Sequence, residues 1–214
     1  MAPRTGERRL QILQTLASML EHPRGERVTT AALAARLSVS EAALYRHFAS
    51  KAQMFEGLIE FIEQTLFSLI NKIASEEPDG ARQVHQTLSV LLSFAEKNPG
   101  MVRVLIGDAL VNEDERLQSR INQLIDRLEA ALRQSMRIAA TVEPAGPQPG
   151  GTPAVGAASD HMLTPPAPAS GADAAARANL MISYVLGRWH QYAKSGFKRS
   201  PTEMWERQWP LLIG

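Results

Sequence analysis

The side chains best suited to chemistry in this sequence are hydrogen-bond donors grouped between Thr29 and Lys51. Ala42 and Ala43 are small enough to let a helix approach base edges closely, and their methyl groups suit the methyl group of thymine. Donors that suit phosphate oxygens follow them: Tyr45, Arg46, His47 and Lys51. This grouping favours a DNA-binding segment, with a solvated helix and turn as an equally weighted alternative on periodicity alone.

Two short helical patterns would position these side chains. They begin at Thr29 and Ser40, whose hydroxyls can cap free amide groups at a helix start. Only Ser38 and Val39 lie between the two patterns, so the helices must cross steeply, as in a helix-turn-helix. Apolar residues at helical spacing would close a small shared core: Leu33, Ala34, Leu37, Val39, Leu44 and Phe48.

Basic residues are concentrated at the same end of the chain. The formal net charge of +1 indicates nothing about nucleic acid, but residues 1–51 carry eight basic and four acidic side chains. A locally basic end is what counterion release at a phosphate backbone requires. Residues 1–6 are predicted to be a disordered basic arm. Such an arm could reach into a minor groove, although a solvated tail is the commoner outcome.

Catalytic and metal-binding chemistry has little support in the sequence. The absence of cysteine excludes disulfides, thiol catalysis and cysteine-ligated zinc. The five histidines form no Glu-x-x-His pairs, and no phosphate-binding loop, nucleophile elbow or HExxH motif is present. We therefore predict a protein that is not an enzyme and that needs no cofactor or metal.

The hydropathy pattern predicts a cytoplasmic protein. No apolar run approaches the roughly 18 residues that a membrane span needs. No hydrophobic signal region follows the charged start of the chain. A membrane partner is therefore not expected.

Helical periodicity runs through most of the chain and predicts an all-α fold. An N-terminal three-helix helix-turn-helix domain would be followed by a C-terminal helical bundle for effector response and dimerisation. The stretch 143–172 is rich in Pro, Gly, Ala and Ser, and cannot bury enough apolar surface to offset its ordering entropy. The predicted segments are a disordered basic arm (1–6), a helix-turn-helix domain (7–51), effector helices (52–142), a disordered linker (143–172) and C-terminal dimerisation helices (173–214).

The helix after Lys51 is predicted to connect the two domains. It should bury an apolar stripe: Phe55, Leu58, Ile59, Ile62, Leu66, Leu69, Ile70 and Ile73. Phe61 lies off that stripe by about a third of a turn at about 100° per residue. It therefore either packs against another helix, which is the commoner case, or contacts a partner.

The end of the chain carries one stop signal and one start signal. Gly196 is predicted to end a helix, because glycine readily adopts the left-handed conformation of a C-terminal cap. Ser200 and Pro201 are predicted to begin the last helix as its cap and first residue. Trp205 and Trp209 on that helix would pack on the core or on a dimer partner.

The run VSEAALYRHFASK, residues 39–51, closely resembles the DNA-binding domain of the TetR family. The recognition helix of that family reads Leu-Tyr-x-x-Phe followed by Lys, matched here by Leu44, Tyr45, Phe48 and Lys51. The resemblance implies that Thr29, Tyr45 and Lys51 touch DNA phosphates. One departure is Ala49, where the family often has Pro, and alanine is compatible with the turn. The predicted DNA-binding residues are Thr29, Thr30, Ser40, Ala42, Ala43, Tyr45, Arg46, His47 and Lys51.

Four further segments, 58–63, 96–110, 114–134 and 197–212, are similar to the nucleoid occlusion branch of the TetR family. The resemblance implies a homodimer that binds palindromic sites in double-stranded DNA. When DNA-bound, such a dimer disrupts polymers of the tubulin-like division protein FtsZ and prevents septum assembly over the nucleoid. The surface that would contact FtsZ maps to Phe61, Val90, Ser93, Lys97 and Asn98. The long Pro-rich segment departs from the pattern of this branch.

An ordinary ligand-responsive repressor of the TetR family is the alternative. In such a protein a small molecule in the bundle shifts the spacing of the DNA-binding domains. The inward residues of the predicted fifth and seventh helices are aliphatic and reveal no converging polar groups. A regulator with an apolar effector would nevertheless look the same in sequence.

Overall fold

The computed structural model of the chain describes residues 5–21, 28–142 and 171–213, and all regular structure within these ranges is helical. The all-α prediction is therefore confirmed. The elements are α1 (Thr5–Leu20), α2 (Thr30–Arg36), α3 (Glu41–Tyr45), α4 (Lys51–Glu76), α5 (Gly80–Lys97), α6 (Pro99–Leu105), a 3-10 turn (Asp108–Leu110), α7 (Glu115–Val142), α8 (Gly171–Lys194) and α9 (Trp205–Ile213).

The two predicted disordered segments lie mainly outside the described residues. Helix α1 already begins at Thr5, and α8 already begins at Gly171. Two residues of the arm predicted over 1–6 and two of the linker predicted over 143–172 are therefore helical, and the remaining residues of both segments lie outside the described parts of the chain. A helix start tolerates such residues, because its first amides have no carbonyl partner within the helix.

The helix-turn-helix forms through the two predicted caps. The Thr29 hydroxyl accepts a hydrogen bond from the Ala32 amide at 3.1 Å, and the Ser40 hydroxyl accepts one from the Ala43 amide at 3.3 Å. Each bond satisfies one of the free amides at a helix start. The predicted core is confirmed: Leu33, Ala34, Leu44 and Phe48 are buried, and Leu37 and Val39 are half-buried against them.

Helix α4 joins the DNA-binding helices to a bundle built mainly from α5, α7 and α8. Helix α1 packs on both α4 and α6. A Cβ atom at Gly100, in α6, would lie 1.9 Å from the carbonyl oxygen of Ala17 in α1. Only glycine permits so close an approach of two backbones. The helix-turn-helix is therefore held directly against the bundle.

The buried stripe of α4 is shorter than predicted. Leu66 and Ile70 are at most 5% exposed, but Leu69 is 42% exposed. Helical spacing fixes the direction in which a side chain points, but it does not fix how far along the helix a neighbour covers that direction. The prediction that Leu69 lies in the core is wrong.

The last helix begins at Trp205 rather than at the predicted Ser200-Pro201 start. Buried Arg188 explains the difference, because its guanidinium donates hydrogen bonds of 2.7–3.0 Å to three carbonyl groups of this segment. Those carbonyls belong to Ser200, Pro201 and Glu203. The Ser200 carbonyl also accepts the Glu203 amide at 3.2 Å, so this segment forms turns rather than the start of a regular helix. Met204, with φ of 65°, then turns the chain into α9.

The predicted helix stop at Gly196 is confirmed. Gly196 has φ of 64° and its amide donates to the carbonyl of Ala193 at 3.1 Å. The next amide, that of Phe197, donates to the carbonyl of Tyr192 at 3.0 Å. This pair of bonds satisfies the last carbonyls of α8 in a Schellman motif.

Candidate nucleic-acid interface

The outward face of α3 presents the residues predicted to approach the bases. Ala42 is exposed, Ala43 is half-buried and Arg46 is exposed immediately after the helix. Tyr45 is 45% exposed although it is a large aromatic residue. Leu44 and Phe48 anchor the opposite face of this segment in the core, at 1% exposure each. The burial pattern therefore leaves one face of α3 open for contacts.

A polar cluster joins the start of α2 to α3. The Thr30 hydroxyl donates to the Glu41 carboxylate at 2.5 Å, and the Tyr45 hydroxyl donates to the Thr30 hydroxyl at 3.5 Å. These bonds hold the Tyr45 side chain against the start of α2, next to the Thr29 cap. Because the Thr29 oxygen accepts the Ala32 amide, its own proton is left to donate outwards. The structure therefore brings Thr29, Thr30 and Tyr45 together as one polar edge.

Lys51 has a partner inside the protein. It is the first residue of α4, and its ammonium group forms an ion pair with the Glu113 carboxylate, 62 positions further along the chain. The two side chains are 28% and 18% exposed, and the ammonium group lies 5.6 Å from the centre of the Phe55 ring. Glu113 was missed from the sequence, because no local pattern connects it to Lys51.

Arg9 is a basic group near the interface that is not among the predicted DNA-binding residues, although it lies close to the basic arm that could reach a minor groove. Its guanidinium lies 4.2 Å above the Phe48 ring and donates to the carbonyl of His47 at 3.3 Å. The counted excess of basic residues pointed to this end of the chain, but only the packing of α1 places Arg9 beside the end of the recognition segment. His47 itself is half-buried.

The second predicted surface lies along α4 and α5. Phe61, Val90 and Ser93 are half-buried, and Lys97 is exposed at the end of α5. The Asn98 amide donates to the carbonyl of Phe94 at 2.8 Å, which closes that helix end.

Phe61 faces away from α7. Glu63 marks the α7 side of α4, since its carboxylate is 2.9 Å from the guanidinium of Arg120. Phe61 precedes Glu63 by two residues and so lies about 200° around the helix from it. Its ring packs partly against the core, and a contact of its exposed part with a partner stays a prediction. The exposed Leu69 lies on the same flank of α4, at about 80° from Phe61.

The buried side chains of Gln83 and Ser135 satisfy each other inside the bundle. The Ser135 hydroxyl of α7 donates to the side-chain oxygen of Gln83 in α5 at 2.8 Å, and the Gln83 amide donates to the carbonyl of Glu77 at 2.6 Å. Two polar side chains of α5 and α7 therefore do converge, contrary to the sequence analysis. They converge on each other, because a buried amide or hydroxyl needs a hydrogen-bond partner.

Comparison with known proteins identifies the family. Residues 24–58 match the family described as bacterial regulatory proteins, tetR family. Residues 79–148 and 169–214 match the tetracyclin repressor-like C-terminal domain. The nucleoid occlusion factor SlmA of Alteromonas mediterranea is 49% identical over 202 residues, which cover 94% of this chain and 92% of that protein. The chain belongs to the SlmA nucleoid occlusion factors of the TetR family.

Another SlmA protein agrees with this assignment, and two solved structures share the fold. SlmA of Idiomarina loihiensis is 45% identical over 212 residues, covering 99% of this chain and 96% of that protein. A TetR-like transcriptional regulator from Rhodococcus sp. RHA1 superimposes with a TM-score of 0.68 at 16% identity, with full coverage of both chains. FadR from Bacillus subtilis superimposes with a TM-score of 0.67 at 11% identity, covering 96% of this chain and 97% of that one. The last two likenesses concern the fold alone.

The SlmA and TetR families that match are DNA-binding regulators rather than enzymes. Among the described residues, no three His, Asp or Glu side chains form a group that could hold a metal ion. In the same parts of the chain, no helix combines the length and apolar character needed to cross a bilayer.

Proposed function

We propose that this protein is a dimeric, sequence-specific DNA-binding protein that antagonises FtsZ polymerisation when it is bound to palindromic chromosomal sites. Septum formation over the chromosome would thereby be blocked by a cytoplasmic, nucleoid-associated protein. The 49% identity to a SlmA protein over 94% of the chain is the observation that carries the proposal. Two separate surfaces, one on α3 and one on the flank of α4 and α5, support the binding of DNA and FtsZ at different places on the protein.

In this proposal the α3 face reads DNA and the polar edge beside it holds phosphates. Ala42 and Ala43 approach the bases, and Arg46 and His47 contact the backbone near them. The remaining proposed DNA-binding residues are Thr29, Thr30, Ser40, Tyr45 and Lys51. Thr29, Thr30, Ser40 and Tyr45 are already hydrogen-bonded within the protein. This order lowers the conformational entropy that they lose when they bind DNA.

Dimerisation through α8 has better support than dimerisation through the tryptophans. Trp189 and Trp205 are at most 6% exposed, and their indole groups donate to the carbonyl of Leu91 and the hydroxyl of Ser89. They belong to the core of one chain, so their presence no longer argues for a partner.

An exposed stripe of α8 is the better candidate for the dimer contact. It consists of Ala176, Leu180, Ser183 and Gly187, spaced three or four residues apart, with Leu180 53% exposed. A Cβ atom at Gly187 would meet nothing within 4 Å in this chain. Glycine inside a helix costs about 1 kcal/mol relative to alanine, and the packing of one chain does not require it here. Close approach of a second α8 would account for both Leu180 and Gly187, and would space two recognition helices about 34 Å apart.

The proposed FtsZ surface comprises Phe61, Val90, Ser93, Lys97 and Asn98. Its apolar part is larger than the sequence suggested, because Leu69 is exposed on the same flank of α4. A half-buried aromatic ring with an exposed aliphatic neighbour and a lysine at the edge suits a peptide that has apolar anchors and acidic flanks.

A pull-down with purified FtsZ tests the proposal. Immobilised FtsZ should retain the protein more strongly when chromosomal DNA fragments that contain its sites are added. Equal amounts of unrelated DNA provide the control. Absence of retention with every DNA would remove FtsZ from the proposal and leave a DNA-binding regulator.

The ligand-responsive repressor is the second candidate. It is disfavoured because Gln83 and Ser135 satisfy each other inside the bundle instead of pointing to a vacant site. A thermal-shift screen against metabolites should give no stabilisation above about 1 °C. A larger, saturable shift by one compound would favour this alternative.

A further inference from the structure

The Lys51–Glu113 ion pair connects the DNA-binding domain to the bundle. Lys51 lies where the helix-turn-helix meets α4, and Glu113 lies in the segment 106–114 between α6 and α7. That segment consists of tight turns, with φ of 78° at Gly107 and 64° at Asn112. It is anchored at both ends by helices that pack on α1 and α4. A change at Glu113 therefore affects the junction between the two functional surfaces.

Neighbouring acidic residues do not share this role. The Asp114 carboxylate is held by the Arg116 guanidinium at 2.7 Å, and this hydrogen bonding lowers the pKa of Asp114 to about 2. The Asp108 carboxylate is held by Arg103 at 2.6 Å. Glu113 is thus the acidic residue of this segment whose described ion pair reaches the DNA-binding domain.

We propose that Glu113 is a DNA-sensing counter-ion that competes with a DNA phosphate for Lys51. On DNA binding the Lys51 ammonium turns to the phosphate, the Glu113 carboxylate is released, and the 106–114 segment becomes less constrained. The segment would thereby signal DNA occupancy to the bundle. This inference rests on the proposed phosphate contact of Lys51 and adds a regulatory step to that site.

Electrostatics makes the exchange feasible in both directions. A partly exposed ion pair between side chains is weak, so a phosphate can replace the carboxylate at little cost. Two anions that approach one ammonium group also repel each other. The carboxylate therefore weakens DNA binding while it remains in place, and DNA weakens the hold of Lys51 on the segment.

DNA titrations on five variants test the exchange. Glu113→Gln should raise operator affinity about three- to tenfold at low salt, because a competing charge is removed. Glu115→Gln is the matched control, since Glu115 is exposed, is two residues away and undergoes the same charge change. Each change is repeated in a Lys51→Met background. There, Glu113→Gln should have no more effect than Glu115→Gln.

The outcomes separate this inference from the proposed role of Lys51. A fall in affinity for Glu113→Gln, or the same rise in both backgrounds, would overturn the competition. If Lys51→Met alone leaves affinity and its salt dependence unchanged, the phosphate contact itself is wrong and the inference falls with it. If Lys51→Met weakens binding while Glu113→Gln matches Glu115→Gln, only the inference falls.

Hydrogen exchange on the unmodified protein provides a measurement that does not depend on variants folding. Amides of residues 106–114 should exchange faster after operator DNA is added, in contrast to the slowing expected at α2 and α3. In Lys51→Met the segment should already exchange fast without DNA. Unchanged or slower exchange of the segment on DNA binding would contradict the release of Glu113.

Discussion

The α3 surface and the flank of α4 and α5 differ in the forces that they can use. The α3 surface is built from short helices. Its polar side chains Thr30 and Tyr45 form hydrogen bonds with a carboxylate and a hydroxyl group, and Lys51 forms an ion pair with a carboxylate. The flank is built from long helices and presents Phe61 and Leu69. The first surface should depend on charge and salt, and the second on the burial of apolar area. The same chain can therefore hold two partners whose binding responds to different conditions.

A substitution at Gly100, where α6 packs on α1, should impair both surfaces together. Gly100→Val would place side-chain atoms within the carbonyl of Ala17 and should destabilise the fold by about 3 kcal/mol. We expect the melting temperature to fall by roughly 6–12 °C. DNA binding and FtsZ binding should both fall as the fraction of folded protein falls. An unchanged melting temperature would contradict the close packing of α6 on α1. Gly171→Val, at a position where a Cβ atom would meet nothing within 4 Å, serves as the control for added volume.

Phe61 allows the flank to be broken alone. Phe61→Ala should weaken FtsZ binding by about 2 kcal/mol or more, roughly 30-fold, because the ring is large enough to anchor an interface. Operator affinity should be unchanged, since Phe61 lies ten residues beyond Lys51, about 15 Å along the helix. Both affinities are measured on one preparation, together with its melting temperature.

A matched control for Phe61 exists on the same helix. Phe67 is also half-buried, but its ring packs beneath the guanidinium of Arg127 at 4.0 Å on the α7 side. Phe67→Ala should therefore spare FtsZ binding at a similar cost in stability. Joint loss of stability, operator affinity and FtsZ binding in Phe61→Ala would assign Phe61 to the core and end the interface hypothesis for this residue.

Gly187 lies in neither surface and tests the dimer that would present both. Gly187→Leu should raise the dissociation constant of the dimer about tenfold or more, because the larger side chain blocks a close helix approach. The fold of each chain should persist, since the position is open. Sedimentation at micromolar concentration measures the change. A dimer as tight as that of the unmodified protein would move the proposed contact away from this stripe.

Lys51 gives the smallest expected effect on DNA binding at the α3 surface. Lys51→Ala should weaken binding to all DNA sequences alike and lower the salt slope by about 1 per half-site, since one fewer phosphate is neutralised. Lys72→Ala, an exposed lysine far along α4, should leave the slope unchanged. If Lys51→Ala instead altered discrimination between operators, Lys51 would read bases.

Sequence reasoning succeeded where the cause of a structure is local. The caps at Thr29 and Ser40 and the stop at Gly196 depend on residues within a few positions, and the structure contains all three. The small core around Leu44 and Phe48 follows from helical spacing over the same short range. These features fixed the position of the α3 surface.

The failures have long-range causes. The start of α9 moved because Arg188 captures carbonyl groups 12 to 15 positions away. Glu113 could not be paired with Lys51, since 62 residues separate them. Leu69 pointed in the predicted direction but lacked a neighbour to cover it. The sequence pattern predicts each helix and its apolar face, but it does not predict which other helices pack against that face.

Sedimentation of FtsZ polymers tests the central claim of two cooperating surfaces most directly. FtsZ with GTP is pelleted in the presence of the protein, with operator DNA, with unrelated DNA or without DNA. We predict that the protein with operator DNA lowers the pelleted FtsZ, and that Phe61→Ala with the same DNA does not. Equal pelleting of FtsZ with and without operator-bound protein would contradict the claim.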